Sequence, residues 1–127
     1  MVIEKLRKIM KALILVAHGS KKYKSNQEFK DLVEEIRKLN SIKYEKIETA
    51  FLEFAKPSIE EIVEQLNSKN ITEISLYPYF LNSGKHVVND IPNIIEELGS
   101  NYQNIKFKLF PHFGSSKKIS TIISEEI

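Results

Sequence analysis

Ala12-Leu13-Ile14-Leu15-Val16-Ala17-His18-Gly19-Ser20 runs an unbroken apolar stretch straight into an imidazole, a glycine and a hydroxyl. An apolar run of that length, without alternation, reads as a strand buried on both faces of a parallel sheet. Ending such a strand on histidine, followed by the most permissive backbone residue, calls for a partner from elsewhere in the chain. The rest of the sequence supplies both the sheet and the partners.

Working outward, Ser20 to Lys24 is a polar loop. Ser25-Asn26-Gln27-Glu28 has capping-box form and predicts a helix start. Phe29, Leu32, Val33, Ile36 and Leu39 follow at helical spacing. Ile47 to Leu52 reads as a second strand, and Pro57-Ser58-Ile59-Glu60-Glu61 opens a second helix with an Ile59, Ile62, Val63, Leu66 stripe. Ile71 to Tyr77 is a third strand, stopped by Pro78. A loop in which Gly84 is expected to supply a positive-φ turn leads to a third helix carrying Ile91, Ile94, Ile95 and Leu98 and ended by Gly99. Asp90, just before Ile91-Pro92, reads as that helix's N-cap. Ile105, Phe107 and Leu109 alternate with Lys106 and Lys108, the mark of a half-exposed strand near a sheet edge. From Ser115 a last helix carries Ile119, Ile122 and Ile123.

The order β-α-β-α-β-α-β-α predicts one three-layer α/β domain, a four-stranded parallel sheet flanked by helices and joined by right-handed crossovers. Residues 11–127 form that domain, and residues 1–10 are expected to be an extension, with Met10 an alternative start. A chain of 127 residues buries roughly two-thirds of its unfolded surface without staples. With no cysteine, disulfides and thiolate metal sites or nucleophiles are excluded. A net charge of +2, with only Arg7 and Arg37 among 19 basic residues, argues against a nucleic-acid partner. No apolar run approaches the roughly 20 residues of a membrane span. The basic start followed by an apolar run is weakly like a signal peptide, but it continues into α/β pattern, so a cytoplasmic protein is expected.

In a parallel sheet all strand C-termini share one edge, where ligands bind. The residues just past the strands are His18, Gly19 and Ser20; then Glu53; then Pro78-Tyr79-Phe80-Leu81 and Asn82-Ser83-Gly84-Lys85-His86. Singly, each has an ordinary explanation: a hydrogen-bonded strand-end histidine, a solvated loop histidine, an exposed exit charge. Together, two imidazoles and a carboxylate converge although the histidines stand 68 residues apart. That donor set suits divalent first-row metals and leaves coordination positions open, and histidine moves protons near neutral pH. His112 also follows a strand, but a peripheral one. Ser20 lacks the G-x-S-x-G surroundings of a nucleophile elbow.

These residues resemble a known family. "LILVAHGS", "AFLEFAKPSIEE" and "YPYFLNSGKHVVNDIP" are similar to the short sirohydrochlorin chelatases of the small CbiX type, class II chelatases of tetrapyrrole biosynthesis, and the likeness runs in order from Lys11 to about Ile127. "FGSSKKI" also fits the glycine-containing turn before that family's last helix. The resemblance implies metal-handling histidines at His18 and His86 with Glu53 as acidic partner; His112 has no counterpart in it. It implies a homodimer, because the short forms are similar to one lobe of two-lobed enzymes. It also implies that the metal is a substrate, with no permanently bound cofactor. Cobalt insertion into sirohydrochlorin, toward cobalamin, is the first expectation; nickel insertion in an archaeal-type pathway and ferrous iron insertion toward siroheme remain open. Gly19 is expected to let the backbone approach the flat macrocycle, with Ser20, Ser83 and Gly84 beside it and Tyr79, Phe80 and Leu81 (after Pro78) as an apolar wall. Lys21, Lys22, Lys24, Lys56 and Lys85 flank the motifs and could meet the macrocycle's carboxylates, or serve only as solubilising charge.

Two rivals compete. A histidine phosphatase or mutase also places His-Gly after its first strand, but it wants arginine before the histidine, where this chain has Ala17. A metallochaperone could use the same three groups; it would bind metal with or without a macrocycle and would not accelerate insertion.

Overall fold

The computed structural model describes residues 8–40 and 42–127. The strands are β1 (Lys11–Ala17), β2 (Lys46–Phe51), β3 (Glu73–Pro78) and β4 (Lys106–Leu109). The α-helices are α1 (Tyr23–Leu39), α2 (Ile59–Ser68), α3 (Ile91–Asn101) and α4 (Lys118–Glu126). All strand pairs are parallel, in the order β2-β1-β3-β4. The expected α/β sheet sandwich is therefore present, and β4 lies at an edge as its alternating lysines predict.

The opening stretch explains this order. Leu13 and Leu15 point to one face and Ala12, Ile14 and Val16 to the other, every one of them buried. A strand so apolar on both sides belongs in the middle, and β1 pairs along its length with both β2 and β3. On one face Ile14, Val16, Ile74 and Leu76 meet α2 through Ile59, Ile62, Val63 and Leu66, and α3 through Ile91 and Leu98. On the other, Leu13, Leu15, Ile47 and Phe51 meet Phe29 and Val33 of α1. Arg37 ties the far end of α1 to β2, donating from Nε to the Ile47 carbonyl at 2.6 Å and pairing with Glu48 at 2.9 Å.

Several local expectations are corrected. The helix after the first strand begins at Tyr23, and Ser25 does not cap it. Instead Asn26 folds back on the loop, its Oδ1 accepting from Ser20 N–H at 2.9 Å and its Nδ2 donating to the Ser20 carbonyl at 2.7 Å. That clasp fixes the chain ahead of Ser25, so the helix starts sooner. The capping box belongs to α2, where Ser58 is the N-cap and its hydroxyl and the Glu61 carboxylate exchange backbone bonds reciprocally. Pro57 precedes that cap rather than opening the helix. Gly99 lies inside α3, which runs on to Asn101. Gly84 has no positive φ; its carbonyl accepts from Val87 and Val88 N–H and starts a helical turn. Met10, read with the extension, is stitched to the fold: its N–H donates to Thr72 Oγ1 at 2.9 Å and its carbonyl accepts from Thr72 and Glu73. Residues 1–7 lie outside the described residues. No helix among the described residues is long and apolar enough to cross a membrane.

Candidate metal centre

Between β1 and β3 the strand order reverses direction, one strand stepping to β2 and the next to β3 and β4. The loops leaving such a switch point part and open a crevice. His18 leaves β1 and His86 follows β3, one on each side of it, while Glu53 comes from the loop after β2.

His18 and Glu53 are held together by backbone. Glu53 N–H donates to the His18 carbonyl at 2.8 Å, just beyond the last β1–β2 pair. The approach is close enough that Gly19, at φ 95°, has the Glu53 carbonyl oxygen 1.8 Å from where a Cβ would stand. The space a side chain would need there is taken up by the chain itself: glycine is needed so that the two loops can touch. On the carboxyl side Phe54 also takes positive φ, 62°. This places its exposed ring edge-on to His18 at 5.7 Å, with Lys21 Nζ 5.3 Å from the ring centre. Phe54 was not foreseen. An aromatic residue next to a candidate ligand, in the short loop that leaves the second strand, was the available signal.

The side chains close the cluster. His18 Nε2 lies 3.1 Å from Glu53 Oε2, and the two imidazole centres are 4.6 Å apart. One donor atom from each of His18, Glu53 and His86 can be chosen so that all lie within 4.8 Å of one another. The hydrogen bonds assign the tautomers. His18 Nδ1 sits 3.1 Å from the Gly19 carbonyl, which can only accept, so Nδ1 carries the proton. His86 Nδ1 sits 2.6 Å from Asp90 Oδ2, likewise an acceptor when ionised. The Asp90 bond leaves His86 Nε2 as the lone pair, and His18 Nε2 faces Glu53 Oε2. Three electron-rich atoms this close repel one another until a proton or a cation joins them, and with a divalent cation they form a two-histidine, one-carboxylate ligand set with open positions.

Asp90 corrects the sequence reading most directly. It is no N-cap: its backbone is helical and its side chain makes no capping bond. Residues His86–Asp90 wind as a π-turn running into α3, which brings His86 and the residue four places on into contact. The i, i+4 spacing of a histidine and an aspartate ahead of a helical proline was the signal that could have revealed it.

Of the residues expected to meet the macrocycle, Tyr79, Phe80, Leu81 and Gly84 line a recess of about 360 Å³ that also includes His86. Phe80 stacks near His86 with centres 6.4 Å apart, and Leu81 is exposed. Tyr79 turns toward the opposite face and stacks on Phe29 at 5.3 Å. Ser83 and Lys85 are exposed and do not line the recess. Ser20 serves its own loop, its hydroxyl accepting from Lys22 N–H. His112 does not join the cluster; its carbonyl accepts from Ser115. Gly114 is the second glycine in a tight spot, with the Leu81 carbonyl oxygen 1.6 Å from a Cβ position, so the turn after β4 presses on the loop bearing the recess.

An α/β sheet with an open histidine–carboxylate cluster at its switch point presents, at a strand-end crevice, a donor set of the kind that divalent metals take. The particular family follows from comparison: the CbiX family model matches residues 12–127, and the chain belongs to that family. It is 29% identical to the sirohydrochlorin cobaltochelatase of Sulfurisphaera tokodaii over 93% of this chain and 92% of that one. It is 28% identical to the sirohydrochlorin ferrochelatase of Priestia megaterium over 93% of this chain but only 44% of that one. Among solved structures, the sirohydrochlorin chelatase SirB from Bacillus subtilis subspecies spizizenii, in complex with cobalt, superposes with a TM-score of 0.82 at 26% identity, covering 92% of this chain and 49% of SirB. The chain thus spans nearly the whole of one relative and about half of the others.

Proposed function

We propose that this protein is a sirohydrochlorin metal chelatase that inserts cobalt, and that His18, His86 and Glu53 carry the reaction. The observation that bears most weight is the convergence of those three donors at the switch-point edge of a CbiX-family chain. Cobalt takes precedence because a relative matched over 92% of its own length is named a cobaltochelatase. Nickel and ferrous iron satisfy the same ligand set.

The reaction exchanges one divalent ion for two pyrrole protons. The Nε2 atoms of His18 and His86 hold the incoming ion, with Glu53 as third ligand. Neutral imidazole suits a transfer site because it binds the ion without adding charge that would retain it. As the ion passes to the ring nitrogens, the released protons need acceptors, and the Glu53 carboxylate, half exposed beside His18, stands nearest. Phe54, Phe80 and Leu81 offer apolar surface beside the donors for the face of the macrocycle. Lys21, Lys56 and Lys85 supply positive charge for its carboxylates. The metal is a substrate, and the chemistry requires no resident cofactor. We also infer that the enzyme works in the cytoplasm as a homodimer; a length matching about half of SirB supports the second point.

The test is an anaerobic insertion assay with sirohydrochlorin and, separately, Co²⁺, Ni²⁺ or Fe²⁺, following the macrocycle's absorbance. Acceleration that is greatest with Co²⁺ and lost in His18→Ala is expected. Tight metal binding with no acceleration for any ion would instead support a metal-carrying protein.

A further inference from the structure

The two faces of the sheet are unequally covered. One carries α2 and α3. Among the described residues the other carries α1 alone, packed over β1 and β2. Toward β3 and β4 this face leaves an apolar groove of about 490 Å³, with Leu15, Ile36, Tyr44, Tyr77, Phe110 and Phe113 among its walls. A parallel sheet is normally covered on both faces, so this groove is the place of a missing helix.

The chain also holds a helix with no place. α4 has no buried residue, and Ile122, Ile123 and Ile127 are 49%, 54% and 98% exposed. Nine residues fall short of the ~12–15 that sustain an isolated helix in water, so α4 needs a surface. Its length of about 13.5 Å fits within the roughly 20 Å run of a six-residue strand. Its own groove is hard to reach. Phe113, on the groove wall, is separated from α4 by only four residues, and the turn between is pinned by Gly114 N–H to the Phe80 carbonyl at 2.8 Å and by Ser115 and Ser116 N–H to the carbonyls of His112 and Phe113. Only Ser116 and Lys117 remain to reverse the chain. Short, constrained hinges of this kind favour exchange between copies.

We propose that α4 of each copy lies in the β3–β4 groove of a second copy, reciprocally about a two-fold axis. Charge agrees with this occupant: Lys43 is among the groove-lining residues and Lys108 lies over the ring of Phe110 at 4.8 Å, while α4 ends in Glu125 and Glu126. The proposal rests on the homodimer reading and goes beyond it by naming the contact.

The full-length protein is studied by light scattering with size exclusion, as wild type and as Ile122→Asp/Ile123→Asp. The expected result is twice the 14.7 kDa chain mass for wild type, and at least a tenfold weaker dimer for the variant, with unchanged circular dichroism. A wild-type monomer overturns both the homodimer reading and the exchange. An undiminished variant dimer overturns the exchange alone and points to another occupant of the groove, such as the chain's own first seven residues. Because the chain has no cysteine, a Lys43→Cys/Glu125→Cys variant treated with a bifunctional maleimide gives an independent reading even if the aspartates disturb folding. Cross-linking between chains is expected; cross-linking within one chain, or none, overturns the proposal.

Discussion

Replacing Gly19 by alanine tests whether the site is assembled by backbone contact. The added methyl would stand 1.8 Å from the Glu53 carbonyl oxygen, whereas ordinary contact begins near 3.4 Å, so the loop after β2 must retreat by about 1.6 Å. That movement breaks the 2.8 Å bond from Glu53 N–H to the His18 carbonyl, a loss of roughly 0.5–1.5 kcal/mol. The residue must also keep φ near 95°, which costs an L side chain about 1–2 kcal/mol. The sum, about 1.5–3.5 kcal/mol, lowers the melting temperature of a domain this size by roughly 5–15 °C. The same movement carries Glu53 away from His18, so Co²⁺ affinity falls at least about tenfold.

Thermal unfolding followed by circular dichroism reads the first effect and the visible absorption of bound Co²⁺ the second. Gly99→Ala serves as control: it lies inside α3 with nothing within 4 Å of its Cβ position, and it should gain about 0.5–1 kcal/mol. A Gly19→Ala protein that melts within about 2 °C of wild type and keeps its Co²⁺ affinity would refute the account of how Glu53 is held.

Other expectations follow from individual contacts. Asp90→Ala frees the His86 tautomer and should weaken Co²⁺ binding about 10–100-fold while leaving the fold intact; long-range nitrogen shifts of His86 should show the proton shared between its two ring nitrogens. Ser58→Ala removes the α2 cap and should cost about 0.5–2 kcal/mol by denaturant melts. Backbone and side-chain hydrogen bonds at Ser58 hold the Glu61 carboxyl below the usual carboxylate range. Its stabilising effect is therefore present above the ordinary carboxylate pKa and lost as pH falls through the lowered value, and the gap in melting temperature between wild type and Glu61→Gln should close across that acidic range.

The sheet was readable because its elements are locally consistent: β1 is apolar on both faces and central, while β4 alternates with lysine and is at the edge. The convergence of His18, Glu53 and His86 was readable because strand ends in a parallel sheet share an edge, so topology alone gathers the three. What escaped depends on contacts that no period encodes. Ser25 resembled an N-cap until the Asn26 amide, reaching back to Ser20, moved the helix start. Asp90 resembled an N-cap because proline follows two residues later, but a π-turn gives the carboxylate a histidine to hold instead. Gly19 was readable as special, but not the Glu53 backbone that it clears a path for, 34 residues further on.

The three donors are not held equally, and that inequality bears on transfer. Both histidines have Nδ1 tied within their own segments, to the Gly19 carbonyl and to Asp90, so their Nε2 atoms are aimed before any ion arrives. Glu53 is anchored only by its backbone; its carboxylate contacts His18 alone among the described residues, and the side chain is 50% exposed. Under the proposed function, a site that must surrender its ion to a macrocycle needs one ligand that can leave first without disturbing the others. A half-exposed carboxylate on a loop fastened at its backbone can swing away while the imidazoles stay fixed, and once free of the metal it is the group best placed to take a proton. On this account Glu53→Gln slows insertion far more than it weakens Co²⁺ binding, whereas His18→Ala and His86→Ala lose both together.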